Sequence, residues 1–450
     1  MALEGLELLR SEIQGLAPAR LIGQVTEIGG GVVRASGLSV RAVIGDRVSI
    51  LRSDGPEVGA EIVALCAQGA TLLPDGMSSG IAIGDRIALQ GACGIAPHDS
   101  WIGRVIDPFG RALDGRPLQR GMAARDLRAA PPVATRRRRL GARLSTGLAV
   151  FDTLLPLVQG QRIGLFAGSG VGKSSLLAKL AQGLSADVVV LALVGERGRE
   201  LREFVETVLG PEGMARSVVI AATSDQSPLV RRRCAWTGMA VAEHFRDQGK
   251  QVLFLADSIT RFAEAHREVA LAAGEPPSLR GFPPSTAHMI MSLAERAGPG
   301  PEGAGDITAV FSVLVPGSDM EEPVADILRG VLDGHVVLSR AIAERGRFPA
   351  VDLLRSVSRS LPQAASAEEN ALIAEARRLL GAYDRSEMMI RAGLYAEDSD
   401  PVLDQAIHVW PALDAFMARD RQAGVAESLA DLARALEKPP ARQAASSHAN

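Results

Sequence analysis

Residues 164–174 read Gly-Leu-Phe-Ala-Gly-Ser-Gly-Val-Gly-Lys-Ser, and this stretch constrains the fold more than any other. The apolar segment 161–167 predicts a strand, and the segment that starts at Lys173 predicts a helix. A glycine-rich turn between them lets successive backbone N–H groups point at phosphate oxygens, beside the positive end of the helix. The sequence therefore predicts a P-loop in its strand–turn–helix context.

The residues of this turn predict that the chain binds a nucleoside triphosphate together with Mg²⁺. Lys173 is expected to reach the β- and γ-phosphates, and the Ser174 hydroxyl is expected to hold Mg²⁺. The first position of the motif is Ala167 instead of the usual glycine. The predicted phosphate cradle comprises Ala167, Gly168, Ser169, Gly170, Val171, Gly172, Lys173, Ser174 and Ser175.

Composition indicates an ordinary soluble globular protein with two or three domains. The 450 residues are 47% apolar and 22% charged, and the net charge of -3 gives no general attraction to nucleic acid or anionic membrane. Cys66, Cys93 and Cys234 have no paired spacing, which predicts neither a disulfide framework nor a zinc site. No apolar run is long enough to cross a bilayer, and the N-terminus lacks a signal-peptide pattern. We therefore expect a cytoplasmic chain that meets a membrane only peripherally.

Residues 1–17 and residues 18–90 differ in their patterns of apolar residues. In the first segment, leucine and isoleucine side chains share one side of a predicted helix, either packed on its own domain or docked on a partner. The second segment contains short β-type runs, among them 20–28, 40–44, 47–51, 61–65 and 85–89, which predict a small antiparallel barrel. Oligonucleotide-binding barrels stack bases on aromatic side chains, and residues 1–100 contain none. We expect an assembly or interaction module that binds no nucleic acid.

Residues 91–354 alternate predicted strands and helices, which is typical of a doubly wound parallel sheet. The predicted strands are 161–167, 187–194, 217–222, 251–257, 306–315 and 335–338. The run Arg136–Arg139 is interpreted as a solvated loop, with a polyanion site as the alternative. Residues 355–437 predict a helical domain, and 438–450 a disordered tail. The fold class is α/β, with a P-loop RecA-like core, a small N-terminal β-barrel and a C-terminal helical domain.

Two acidic residues follow predicted core strands. Asp257 ends the buried run Val252-Leu-Phe-Leu-Ala-Asp257, so it is expected at the carboxyl edge of the sheet beside Lys173 and Mg²⁺. Glu196 lies in Gly195-Glu-Arg-Gly-Arg-Glu200, where a carboxylate is placed to polarise a water beside the γ-phosphate, although such loops are often only solvated. The Pro-rich stretch 273–285 predicts a stiff loop, either lining a central opening or joining two elements.

These motifs, in this order, resemble the rotary-type ATPase subunits and most closely the flagellum-specific type III export ATPases. The resemblance runs from about Ile22 to about Leu436. Besides the P-loop and the two acidic segments, it rests on Arg104-Val-Ile-Asp-Pro-Phe-Gly-Arg-Ala-Leu-Asp-Gly115, Asp257-Ser-Ile-Thr-Arg-Phe262, Ala272-Ala-Gly-Glu-Pro-Pro277, Leu332-Asp-Gly-His-Val-Val-Leu-Ser-Arg340 and Phe348-Pro-Ala-Val-Asp352.

The resemblance implies a role for each matching position. Lys173 and Ser174 bind phosphates and Mg²⁺, Asp257 is the Walker-B acid, and Ala167 matches the first P-loop residue of the export ATPases. Glu196 matches the general base, and Arg197 matches an arginine of the phosphate region. Phe348 lies where the family places an aromatic ring against adenine. Arg359, in Ser356-Val-Ser-Arg359, matches an arginine finger that acts on a neighbouring subunit.

Since one chain carries both the base and the finger, the sequence predicts a homohexamer with a complete site at every interface. The resemblance implies export of flagellar proteins by ATP hydrolysis at the cytoplasmic face of the inner-membrane export apparatus. Its implied partners are a regulatory stalk protein at the N-terminus, a central-stalk protein, the export gate and chaperone–substrate complexes. Four alternatives remain: a virulence-type secretion ATPase, an ATP synthase catalytic subunit, an RNA translocase, and a nucleotide-binding subunit without turnover.

Overall fold

The computed structural model describes residues 20–92, 94–315, 320–420 and 424–437. The docking helix predicted for 1–17 and the tail predicted for 438–450 lie outside the described residues. The described chain forms a closed barrel, a mostly parallel sheet with helices on both faces, and a C-terminal group of helices. The predicted fold class is confirmed.

Six strands close the barrel in the order β1-β2-β5-β4-β3-β6, with every neighbouring pair antiparallel. Alternate side chains point inward, so that Val25, Val33, Ile50, Ile62 and Ile87 fill the interior. The strands are β1 (Ile22–Gly29), β2 (Val32–Ser36), β3 (Arg47–Leu51), β4 (Val58–Cys66), β5 (Gly69–Pro74) and β6 (Arg86–Gly91).

The strand predicted at residues 40–44 is wrong, because this segment forms a loop between β2 and β3. The Asp46 carboxylate accepts a hydrogen bond from the backbone N–H of Val43 at 3.0 Å, which satisfies the loop locally. Gly45, with a φ of 96°, turns the chain back into β3. Apolar character alone therefore predicted a strand where local hydrogen bonds favour a turn.

The core sheet has the order β15-β14-β8-β13-β11-β9-β10-β7. Its strands are parallel except for β15, which runs antiparallel to β14, and the short β12, which pairs with β13. All six predicted core strands are present, each within two residues at either end. The strands are β7 (Arg104–Ile106), β8 (Arg162–Ala167), β9 (Val188–Glu196), β10 (Ser217–Thr223), β11 (Val252–Asp257), β12 (Gly298–Pro299), β13 (Asp306–Leu314), β14 (Gly334–Leu338) and β15 (Val351–Ser358).

Helices cover both faces of this sheet, and the strands between them are almost continuously apolar because both of their faces are buried. A π-helical turn, Phe204–Leu209, lies between two short helices. The α-helices of the core are Ala149–Asp152, Lys173–Gly183, Gly198–Glu203, Gly210–Met214, Pro228–Asp247, Ile259–Ala272, Ser285–Arg296, Pro323–Val331 and Arg340–Glu344.

The C-terminal helices are Ala367–Arg391, Pro401–Met417 and Val425–Ala435. Ser366 caps the first of them, because its hydroxyl accepts from the Glu369 N–H while the Glu369 carboxylate accepts from the Ser366 N–H. The boundary predicted between 354 and 355 cuts through β15, so the sheet continues to Ser358. None of the helices in the described part of the chain is long and apolar enough to cross a membrane.

The arginine run 136–139 is only partly the solvated loop that the charge pattern predicts. Arg137 donates to the carbonyl oxygen of Ala297 at 3.0 Å and is mostly buried. Arg138 donates to Asp306 at 2.6 Å and to the Ala304 carbonyl at 2.7 Å. These two side chains hold the β12–β13 turn, although Arg138 is itself partly exposed. Arg136 and Arg139 are exposed.

Candidate active site

The P-loop follows β8, and its backbone needs glycine at two positions. Gly170 and Gly172 have φ values of 76° and 83°, in the left-handed region that glycine adopts without strain. Gly172 directly precedes the helix Lys173–Gly183, so the N–H groups of the loop and of the first helical turn converge. This is the cradle geometry expected for a chain of phosphates.

An ion pair joins the P-loop to the end of β11. Lys173 Nζ donates to Asp257 Oδ1, and Ser312 Oγ donates to the same oxygen at 2.6 Å. The side chains of Lys173 and Asp257 are 11% and 6% exposed, so little water screens the pair. The two predicted residues therefore lie together at the carboxyl edge of the sheet.

Glu196 ends β9 beside this pair and is held by an arginine from the helix Ile259–Ala272, which follows β11. Arg261 Nη1 lies 3.1 Å from Glu196 Oε1 and also donates to the backbone carbonyl of Gly195. Burial, and then the charge of Asp257, raise the pKa of Glu196 above its ordinary value. A carboxylate with a raised pKa accepts a proton from water more readily, which suits a general base.

A cavity of about 260 Å³ lies between these elements, and Ser174, Glu196 and Asp257 all line it. No cluster of three or more His, Cys, Asp or Glu side chains is placed to hold a metal within the described ranges. Mg²⁺ needs no such cluster, because it binds through one or two protein oxygens together with phosphate oxygens and water. A serine hydroxyl and a carboxylate on one cavity wall are a donor set that fits Mg²⁺.

Arg197 is placed differently from its neighbour Glu196. Its side chain is 72% exposed and pairs with Glu200 at 2.7 Å. Glu200 lines the cavity and Arg197 does not. The hydrogen bond from Arg197 lowers the pKa of Glu200, which keeps that carboxylate charged. The role in the phosphate region that the resemblance implies for Arg197 stays a prediction.

Phe348, in the segment that precedes β15, lies against the P-loop. A Cβ placed on Gly172 would come within 3.0 Å of Phe348 Cδ1, so the ring packs directly on the turn that precedes Lys173. About half of the surface of this residue is exposed. A flat apolar face beside a phosphate cradle has the chemistry to stack on a base. The adenine contact that the resemblance implies for Phe348 stays a prediction.

Arg359 lies at the opposite edge of the sheet. Ser358 pairs with Gly334 at the amino end of β14, whereas Leu338 pairs with Ala167 at the carboxyl end. Four residues of strand separate these two edges, which is roughly 13 Å. The Arg359 side chain is exposed and donates to the Arg329 carbonyl at 3.3 Å. It points to a surface away from the P-loop of its own chain.

Two polar residues of the site were not predicted to act there. Arg261 belongs to the motif that follows Asp257, and its position in the first turn of a helix after that strand was the available signal. Ser312 lies inside the buried strand β13, where its neighbours are apolar. Nothing in the sequence distinguishes such a serine from one that only satisfies its own hydroxyl.

Comparisons with known proteins place this site in a family. Residues 147–358 match the model of the ATP synthase alpha/beta family, nucleotide-binding domain, and residues 365–434 match the T3SS EscN ATPase C-terminal domain. A "Flagellum-specific ATP synthase" of Caulobacter vibrioides is 44% identical over 422 residues, which cover 92% of this chain and 95% of the relative. The chain belongs to the family of flagellum-specific and type III secretion ATPases.

This ATPase family also includes a "Type 3 secretion system ATPase" of Xanthomonas euvesicatoria, 40% identical over 91% of this chain and 92% of its own length. Among solved structures, the assembled ATPase EscN of the enteropathogenic E. coli type III secretion system matches with a TM-score of 0.86 and 38% identity. The same ATPase in complex with its central stalk EscO matches with a TM-score of 0.83 and 37% identity. Each match covers 92% of this chain and 100% of the matched chain. Membership in this family makes the chain a nucleotide-binding ATPase.

Proposed function

We propose that the chain hydrolyses ATP to drive export of flagellar proteins through a type III secretion apparatus. The observation that carries this proposal is that Lys173, Asp257 and Glu196 lie close together at the carboxyl edge of the core sheet. This arrangement occurs in a chain that is 44% identical to a flagellum-specific relative over nearly its whole length. Glu196 is the group that a nucleotide-binding subunit without turnover would not require.

Lys173 and the P-loop backbone are proposed to bind the phosphates, with Phe348 stacked on the base. Ser174 and Asp257 would hold Mg²⁺, which, when bound, supplies positive charge to the β- and γ-phosphate oxygens. Glu196 orients the attacking water and accepts its proton at the carboxylate. Arg261 fixes the direction of that carboxylate, because it bonds to both Glu196 and the preceding carbonyl oxygen.

The proposed active form is a homohexameric ring in which Arg359 of one subunit completes the site of its neighbour. In support, Arg359 is exposed at the edge of the sheet opposite its own P-loop. Head-to-tail contacts between these two edges form a ring when the rotation from one subunit to the next closes. The related EscN has been solved as an assembled ATPase and with a central stalk, EscO. A central-stalk partner is therefore proposed for this chain too.

The remaining partners are proposed from the resemblance. Residues 1–17 would bind a regulatory stalk protein, and the ring would receive chaperone–substrate complexes at the export gate. Its place would be the cytoplasmic face of the inner membrane, reached by peripheral contact. A virulence-type role is the second candidate, because relatives and solved structures include secretion ATPases. The higher identity to the Caulobacter protein favours the flagellar role.

The test combines purified protein with cells that lack their own flagellar ATPase. Glu196→Gln keeps the size of the side chain and removes the base, so the variant is expected to bind ATP normally. Its turnover is expected to fall by about 10²-fold or more, because general-base catalysis contributes about that much. Normal turnover in this variant would exclude Glu196 as the base.

In a flagellated host species from which its own flagellar export ATPase has been deleted, the chain is expected to restore secretion of flagellin. The Glu196→Gln variant is expected not to restore it. Restoration of effector secretion in a virulence-system deletion, without any flagellin export, would favour the second candidate instead. Immunoblots of culture supernatants distinguish the two results.

A further inference from the structure

Five polar side chains form a hydrogen-bonded series from the barrel to the Pro-rich loop 273–285. Glu61, on β4, accepts from Arg232 Nη2 at 3.0 Å, and Arg232 Nη1 lies 3.4 Å from His266 Nδ1. His266 Nε2 lies 2.8 Å from Ser285 Oγ, which donates to Glu275 Oε2 at 2.6 Å. We call this series the His266 relay. It connects three parts of the molecule. Glu61 belongs to the barrel, Arg232 and His266 lie on two core helices, and Ser285 and Glu275 lie at the two ends of the loop.

The chemistry of its two ends fixes the direction of every hydrogen bond in the relay. Arg232 can only donate, so His266 Nδ1 must accept from it. The Glu275 carboxylate accepts from Ser285, so the Ser285 oxygen is free to accept from His266 Nε2–H. Only the neutral histidine with its proton on Nε2 satisfies both contacts. A second proton, on Nδ1, would face the Arg232 guanidinium.

The surroundings of His266 favour this neutral form. Its side chain is buried, and burial, followed by the charge of Arg232, lowers its pKa to about 4. Arg128 also lowers the pKa of His266, while Glu275 raises it. Burial lowers the pKa of Arg232 to about 10, so this guanidinium remains charged at neutral pH. The relay therefore joins a fixed positive group to a neutral imidazole.

The loop at the end of the relay is a stiff body with a closed base. Glu275 accepts from the backbone N–H of Ser285 at 2.8 Å through its other oxygen, which joins the two ends of the loop. The loop contains four prolines, and Phe282 packs under the Arg267 guanidinium at 4.9 Å. The relay holds the base of this loop, where its two ends meet.

The relay lies on an apolar contact between the barrel and the core. Leu73 of the barrel packs with Leu229 and Val269, which lie on the same two helices as Arg232 and His266. The helix that carries His266 starts next to Asp257 and carries Arg261 in its first turn. One helix thus connects the loop anchor with the residue that holds Glu196.

We propose that His266 is a positioning residue that locks the Pro-rich loop to the barrel, so that the loop, the barrel and the helix Ile259–Ala272 move together. A partner that pushes on the loop would then act on the helix that holds Arg261. Loss of the neutral imidazole releases the loop and leaves the nucleotide site assembled. This proposal concerns the free chain and does not depend on the proposed export role.

Hydrogen–deuterium exchange on the full chain without nucleotide tests the lock. In His266→Ala, the Ser285 amide and its neighbours in the loop are expected to exchange about 10-fold faster, while peptides from β8, β11 and β13 keep their protection. His266→Gln is the matched control, because its amide oxygen accepts from Arg232 and its amide N–H donates to Ser285. It is expected to restore most of the protection.

Unchanged loop exchange in His266→Ala, or equal loss in the alanine and glutamine variants, would overturn the proposal. Ser285→Ala cuts the relay without altering the buried imidazole, so it gives the same answer if His266→Ala does not fold.

Lower pH supplies a further comparison. The pKa of His266 in the folded chain is below its ordinary value of 6.5. Loop protection in the wild type is therefore complete above pH 6.5 and is lost as the pH falls toward about 4. Glu61 and Glu275 are present in both proteins, so the difference between the wild type and His266→Gln reports on the imidazole.

Discussion

At the scale of single residues, the site depends on how Glu196 is held between opposing charges. Burial and Asp257 raise its pKa, whereas Arg261 and Lys173 lower it. The base works only when ionised, so the rate must fall as pH drops through this raised pKa. Arg261 lowers the pH at which the fall begins, besides fixing the direction of the carboxylate.

We predict that Arg261→Ala moves the acid limb of the kcat profile to higher pH. Removing a positive neighbour raises the pKa of Glu196 further, so that the base is protonated at a pH where the wild type is still active. The ratio of kcat at about pH 6 to kcat at about pH 8 is expected to be smaller in the variant. Steady-state turnover across this range is the measurement.

Arg267→Ala is the matched control for this prediction. Arg267 lies on the same helix but stacks on Phe282, away from Glu196. Its profile is expected to keep the wild-type acid limb. An unshifted limb in Arg261→Ala would mean that another group controls the ionisation of the base.

At the scale of elements, strands buried on both faces were the most predictable part of the fold. The run Val252–Asp257 has no period other than continuous apolar character, and β11 lies within its predicted bounds. Residues 40–44 have a similar composition, but hydrogen bonding by Asp46 and a left-handed Gly45 make them a loop. Local hydrogen bonding and backbone conformation therefore decided the structure of this segment. Neither can be judged from composition alone.

The acidic residues of the site were predictable because each ends a buried strand. Their partners were not, since Ser312 meets Asp257 only through the pairing of β11 with β13. Likewise, the charge run at 136–139 gave no sign that Arg138 binds Asp306, which lies 168 residues later. Contacts that depend on which strands become neighbours are set by the whole sheet.

The junction between the barrel and the core gives a prediction at this scale. Glu61 pairs with Arg232, and both side chains are 6% exposed. Glu61→Ala leaves the buried guanidinium without this carboxylate, so we expect a loss of about 3–5 kcal/mol in the free energy of unfolding. The control is Glu27→Ala, which breaks the exposed Arg34–Glu27 pair and is expected to cost about 0–1 kcal/mol.

Urea unfolding followed by tryptophan fluorescence measures both variants. Trp236 reports on this junction, because its ring lies between Arg128 and Arg232, each 4.9 Å from the ring centre. Equal losses in the two variants would show that the buried pair does not stabilise the junction more than a surface pair does.

At the scale of the whole molecule, the two halves of the proposed catalytic site lie at opposite edges of one sheet. The P-loop, Asp257 and Glu196 lie at the carboxyl edge, and Arg359 lies at the amino edge. A single chain cannot bring them together without unfolding the sheet. Activity should therefore depend on contacts between subunits, and subunits with different defects should be able to complement each other.

We predict that inactive Lys173→Ala and Arg359→Ala subunits recover activity when they are mixed and allowed to assemble. Where an Arg359→Ala subunit receives the finger of a Lys173→Ala neighbour, the interface has an intact P-loop and an intact finger. With random mixing at equal amounts, about a quarter of interfaces are complete. ATP turnover, measured before and after mixing at a concentration that permits assembly, reports the recovery.

The control mixes Lys173→Ala with Glu196→Gln. Both changes lie on the P-loop side and both chains keep Arg359, so every interface in the mixture lacks either Lys173 or Glu196. This mixture is expected to stay inactive at every ratio. If only the first mixture recovers, Arg359 acts on the site of a neighbouring subunit. Assembly can combine intact groups from two defective chains only when the defects lie at opposite edges of the sheet. If neither mixture recovers although rings form, Arg359 does not act on the neighbouring site.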